Sequence, residues 1–173
     1  PGMLRNGQGE PYKVFTAFKK KWLQTVMPLH LQPLPVPVRQ VQKGILPQPE
    51  IDKIFVPFPQ RDLRRLWPAG EKEALRRLHR FLNNGLHEYH VARDFPALDG
   101  TSALSPYLTV GAISPRQCIT AVLSANHGEW DTGSAGAWCW LGEMIWREFY
   151  QHVVVDYPQV CKHRAMQAHT EAF

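Results

Sequence analysis

Along Trp140-Leu141-Gly142-Glu143-Met144-Ile145-Trp146-Arg147-Glu148-Phe149-Tyr150, side chains capable of several kinds of chemistry recur at helical intervals. Trp140, Glu143 and Arg147 fall at i, i+3 and i+7 on one helix face, and Trp146 and Tyr150 make an adjacent i, i+4 pair. Such a face can stack a planar ring, accept a hydrogen bond from an exocyclic amine and pair with a phosphate. The plainer alternative puts the tryptophans in a core and leaves Glu143–Arg147 as a surface pair worth about 0.2–0.5 kcal/mol. Gly142, which costs about 1 kcal/mol inside a helix, points to close approach by another group at that level.

A second stretch, Arg93-Asp94-Phe95-Pro96-Ala97-Leu98-Asp99-Gly100-Thr101-Ser102-Ala103-Leu104-Ser105-Pro106, has the makings of an anion site. Gly100 permits unusual backbone angles, and Thr101, Ser102 and Ser105 bring hydroxyls and N–H groups to a helix start, where a phosphate can sit. An ordinary capped turn has the same composition, and spacing alone favours that reading.

The elements that must carry these residues are helical, and no segment shows convincing two-residue alternation, so the fold class is all-α. Phe15, Phe18, Trp22 and Val26 recur at helical spacing, with Thr16 as the N-cap and Pro28 as the stop. Residues 28–60 hold eight of the 15 prolines and are expected to run extended as a connector. Glu71 to Asn84 carries an apolar stripe at 74, 75, 78, 81 and 82, with glutamates in the first turn, arginines in the last and Asn84-Gly85 as a left-handed cap. Further helices are predicted from Ser105-Pro106 to Gly111, from the capping box Ser114-Pro115-Arg116-Gln117 to about Asn126, and from Ser134 to Asp156. The last places Trp138, Leu141, Ile145, Phe149 and His152 on one side. The organisation expected is a linker with one short helix over 1–62 and a helical domain over 63–173.

Composition sets the outer bounds. A chain of 173 residues with 44% hydrophobic content can bury a core. No apolar run approaches the roughly 20 residues of a membrane span, and the N-terminus has no signal-peptide core, so a cytoplasmic protein is expected. Cys118, Cys139 and Cys161 lack CxxC spacing, which suggests neither a disulfide framework nor a metal site. A formal charge of +5 favours polyanionic partners. Arg61, Arg64, Arg65, Arg76, Arg77 and Arg80 read equally well as a solvated helix face.

Five ordered blocks resemble the photolyase/cryptochrome family: Pro11-Tyr12-Lys13-Val14-Phe15-Thr16, Arg93 to Pro96, Thr101 to Leu108, Gly111 to Arg116, and Trp140 to Tyr150. The likeness is strongest to bacterial cyclobutane pyrimidine dimer photolyases of the folate-antenna type. It implies the N-terminal part of a helical domain that holds FAD in a folded conformation. Carried over by position, Tyr89 and Thr101, Ser102, Ala103, Leu104 and Ser105 resemble residues around the flavin phosphates. Trp140, Glu143 and Arg147 resemble flavin- and lesion-facing residues, Trp146 the aromatic wall against which a flipped dimer packs, and Arg93 a DNA-phosphate contact. Glu143 and Trp146 are thus the catalytic candidates, and Arg93, Glu143, Trp146, Arg147 and Tyr150 the DNA-binding ones.

Cys161 and Lys162 resemble a pair that contacts an antenna folate, methenyltetrahydrofolate. The implied reaction is light-driven electron transfer from reduced FAD to a pyrimidine dimer in damaged DNA, which the enzyme extrudes from the stack. Ala103 departs from the arginine that many relatives carry there. The resemblance also implies an antenna domain before this segment and further FAD-binding residues after it, so the segment alone is expected to be inactive. The alternatives are a cryptochrome-type photoreceptor and a non-catalytic helical DNA-binding module.

Overall fold

The computed structural model describes residues 1–35, 38 and 65–170. Among the described residues every regular element is helical, as the sequence predicts. In chain order these are α1 (Phe15–Thr25), α2 (Pro28–Leu31), α3 (Glu71–Asn84), α4 (Tyr89–Ala92), α5 (Ser105–Thr109), α6 (Pro115–Ala125) and α7 (Ala135–Asp156). Two 3₁₀ turns follow, Pro158–Lys162 and Ala168–Thr170. The long α7 is the axis: α1, α4, α6 and the turn Pro158–Lys162 pack on it, while α2 and α3 pack on α6.

Local chemistry accounts for most of the boundaries. At α6 the predicted capping box forms, with the Gln117 N–H donating to Ser114 Oγ at 3.2 Å and the Ser114 N–H to Gln117 Oε1 at 2.8 Å. At α7 the Ala137 N–H donates to Ser134 Oγ at 3.4 Å, again from a serine N-cap. Helix α1 starts earlier than expected, with Val14 and not Thr16 as its N-cap. Pro28 does more than stop it. Its fixed φ also opens the four-residue α2, so the proline-rich stretch begins helical before leaving the described residues.

Helix α3 ends without the left-handed cap expected at Gly85, whose φ is −123°. Nor do arginines occupy its last turn. They sit mid-helix, where Arg76 and Arg77 converge on Glu73 at 2.7 and 3.1 Å, because a carboxylate three and four residues back is the nearer partner.

Two apolar clusters meet along α7. The larger joins Ala74, Leu78 and Phe81 of α3 to Leu104, Val122 and Leu141. The smaller gathers Phe18, Ile145 and Phe149, with Phe15 and Trp146 at its margin. The N-terminal segment is therefore packed onto the helical body through Phe18, which is fully buried.

Where α7 begins, the chain comes very close to the turn after α3. A Cβ added at Gly136 would clash with the carbonyl oxygens of Leu86 and His87, both backbone atoms that cannot step aside. Gly136→Ala is expected to cost about 2–3 kcal/mol by overpacking, read as a lower midpoint in urea denaturation. No loss, or the gain that an exposed helical Gly→Ala change brings, would contradict the close approach.

Candidate functional site

The loop before α5 is held from below and open above. Leu104 is anchored in the core, and Gly100 lies so close to α4 that an added Cβ would sit 2.5 Å from that of Ala92. Ala103 has φ of +50°, in the left-handed region, followed by Leu104 in the right-handed one. Alternation of this kind turns successive N–H groups to one side. Among the described residues, the backbone N–H groups of Thr101, Ser102, Ala103 and Leu104 have no acceptor, and the Thr101 and Ser102 hydroxyls have no partner. Of these four residues Thr101 and Ser102 border a cavity of about 110 Å³ whose other wall is α3, with Arg77, Arg80, Phe81 and Asn84, and whose rim includes Asp99. Arg77 is already committed to Glu73 and to the Leu66 carbonyl, 2.6 Å away.

The α7 face is arranged differently from the single wall of Trp140, Glu143 and Arg147 that the spacing suggests. Trp140 turns inward, 2% exposed, with its ring 5.7 Å from that of Phe81. Arg147 points toward α5 and donates weakly to the Leu108 carbonyl at 3.4 Å. Glu143 instead receives the guanidinium of Arg93, brought from 50 residues away by α4. Arg93 Nη1 also lies 3.4 Å from Cys139 Sγ. The pair is about one-third exposed on both sides, so it is both formed and reachable. Hydrogen bonding to Glu143 raises the Arg93 pKa well above its ordinary value.

Tyr89 sits beneath this cluster, its ring 5.4 Å from the Arg93 guanidinium and edge-on to Phe81. It is buried and does not line the cavity beside Thr101. Burial, reinforced by the negative charge of Glu143, pushes its hydroxyl up to about 12 from 10.0. Because the folded value is the higher, its contribution to stability is full below pH 10 and lost as the pH rises through 12. Absorbance titration near 295 nm should show one tyrosine of the folded chain ionising about two pH units late, and Tyr89→Phe should remove that step.

Trp146 carries Phe15 stacked on its ring, with centroids 3.5 Å apart and planes at 8°. Tyr150 lies 5.5 Å away at 23° and is 59% exposed. Sequence periodicity did not reveal Phe15 or Lys19 as neighbours of this face. The Lys19 ammonium stands 3.5 Å over the Trp138 ring, and burial lowers its pKa against the opposing pull of Cys139 and Glu143. The signal was present: Lys19 is four residues after Phe15 and three before Trp22, within the apolar stripe of α1.

The close approach expected at Gly142 is mild, since among the described residues an added Cβ there would meet only Lys19 Nζ, at 3.5 Å. Cys161 and Lys162 are exposed on the turn Pro158–Lys162, apart from both clusters. Among the described residues no group of His, Cys, Asp and Glu could hold a metal ion, and no helix is long and apolar enough to cross a membrane.

The all-helical body has a counterpart among solved structures. The fold is similar to the crystal structure of a bacterial class III photolyase from Agrobacterium tumefaciens, with a TM-score of 0.69 and 29% identity, covering 91% of this chain and 33% of that one. The sequence is 38% identical over 172 residues to the deoxyribodipyrimidine photo-lyase of Escherichia coli, covering 99% of this chain and 35% of the relative. It is 40% identical over 169 residues to the deoxyribodipyrimidine photo-lyase of Vibrio cholerae, covering 95% of this chain and 34% of the relative. No family model matches. These relatives bear out the resemblance to photolyases, and the chain spans about a third of their length.

Proposed function

We propose that this chain is the flavin-phosphate and lesion-contacting part of a deoxyribodipyrimidine photo-lyase, acting on pyrimidine dimers in DNA within a longer protein. The observation that carries the reading is the run of four acceptor-free N–H groups at 101–104, of which Thr101 and Ser102 line the cavity against α3. Such a loop suits the diphosphate of FAD, with the Thr101 and Ser102 hydroxyls and the Ser105 turn completing the cradle. Trp140, enclosed in the core, fits no ring stacking; it supports Phe81 at the floor of the cavity. Flavin, when bound and fully reduced, supplies the light-driven electron that splits the dimer.

The chain's own part is recognition and positioning. Glu143 accepts hydrogen bonds from the edge of an extruded base while Arg93 orients its carboxylate. Trp146 and Tyr150 give the aromatic border, and Arg147, turned toward α5, is the phosphate partner on that side. Cys161 and Lys162 stand exposed where an antenna folate would touch them.

The test is made on the whole protein that carries this chain. Its visible spectrum should show bound flavin, and illumination with the flavin fully reduced should restore dimer-containing oligonucleotides. Flavin without repair would favour the cryptochrome-type alternative, and a colourless protein that still binds DNA would favour the non-catalytic module.

A further inference from the structure

Arg80 is the guanidinium in the phosphate cavity that is least committed. It lies on α3 opposite Thr101 and Ser102, and among the described residues its ion pair is with Asp99, at 3.7 Å, with the two side chains 45% and 79% exposed. Arg77, its neighbour in the same wall, is fixed by Glu73, by the Leu66 carbonyl and by the ring of Trp67 at 4.8 Å. An exposed pair at the distance of Arg80 and Asp99 holds weakly. A phosphate diester, offering two oxygens in a plane to a forked donor, is the better partner for the same guanidinium.

The loop residues that line the cavity, Thr101 and Ser102, carry no charge, so its positive charge comes from α3. The carboxylate of Asp99, on the rim of that cavity, repels an entering anion for as long as Arg80 does not screen it.

We infer that Arg80 and Asp99 form a displaceable latch: Arg80 exchanges Asp99 for the diphosphate of the bound dinucleotide and becomes its cationic clamp. This rests on the reading of the cavity as the flavin-phosphate site. It goes further in assigning the charge to a helix α3 residue outside the loop and in giving Asp99 a competing role. The two residues then act with opposite sign on retention of the dinucleotide. Arg80 slows its release, and Asp99 hastens it.

The experiment measures flavin release from the whole holoprotein in the dark, followed by the rise of free-flavin fluorescence on dilution. Arg80→Gln should speed release about tenfold, the scale expected on removing one hydrogen bond to a charged group. Asp99→Asn should slow it about threefold, and raised salt should speed release from wild type more than from Arg80→Gln. Arg80→Lys should fall between, since it keeps the charge and gives up the fork. A merely structural role of the pair would make both Arg80→Gln and Asp99→Asn release faster, and that result overturns the latch. So does release unchanged within about twofold in both, well short of the effect of one such hydrogen bond. A wild-type protein that carries no flavin refutes the underlying site reading, and the latch with it. Should Arg80→Gln fail to fold, Asp99→Asn alone decides by the direction of its effect.

Discussion

Trp140→Ala should be the most damaging single substitution on α7, lowering stability by about 3–5 kcal/mol, the usual range for removing a large buried aromatic. The indole is nearly sealed and leans on Phe81, which in turn meets Tyr89 edge-on, so its removal leaves a void between α3 and α7. Urea denaturation followed by far-ultraviolet circular dichroism measures this directly. A loss below about 1 kcal/mol would mean that the ring faces open space, contrary to its burial here. Trp140→Phe should recover much of the stability, because the ring acts by packing and not by hydrogen bonding.

Glu143→Gln should separate function from stability. The ion pair with Arg93 is one-third exposed, so its removal should change stability by less than about 1 kcal/mol. Affinity for dimer-containing DNA should fall about tenfold, as expected for a hydrogen bond to a charged group weakened in a recess. Affinity for undamaged duplex should change little, since an intact stack presents no base edge to this carboxylate. Fluorescence anisotropy with matched oligonucleotides gives the ratio. Equal weakening on both DNAs would remove Glu143 from lesion recognition and leave it as the holder of Arg93.

What could be read from the sequence was what short-range chemistry determines. The Ser114 box, the start of α7 at Ser134 and the stripe of α3 each depend on residues within a few positions, and each formed. The side of α7 that Trp140 would take was not readable in the same way. Helix α7 is packed by α1, α4 and α6 at once, so its apolar residues leave no single polar face for a helical wheel to find. Trp140 goes to one cluster while Ile145 and Phe149 go to the other.

The Arg93–Glu143 pair escaped notice for a related reason: its members are 50 positions apart, and only the docking of α4 brings them together. The loop at 101–104 was half legible. Its hydroxyls and Gly100 were plain, whereas the left-handed Ala103 and the arginine wall of α3 depend on tertiary placement.

Gly136 has a reach beyond its own surroundings. Because its bare Cα bears on the Leu86 carbonyl, α7 has little freedom to roll about its long axis at that end. A roll of one residue step would swing Glu143 and Trp146, roughly two and three turns further on, by about 100°. The azimuth of the proposed recognition surface is thus set by a missing methyl group some 10–15 Å away along the rod, at about 1.5 Å per residue, which makes this glycine a keyway for the whole shaft.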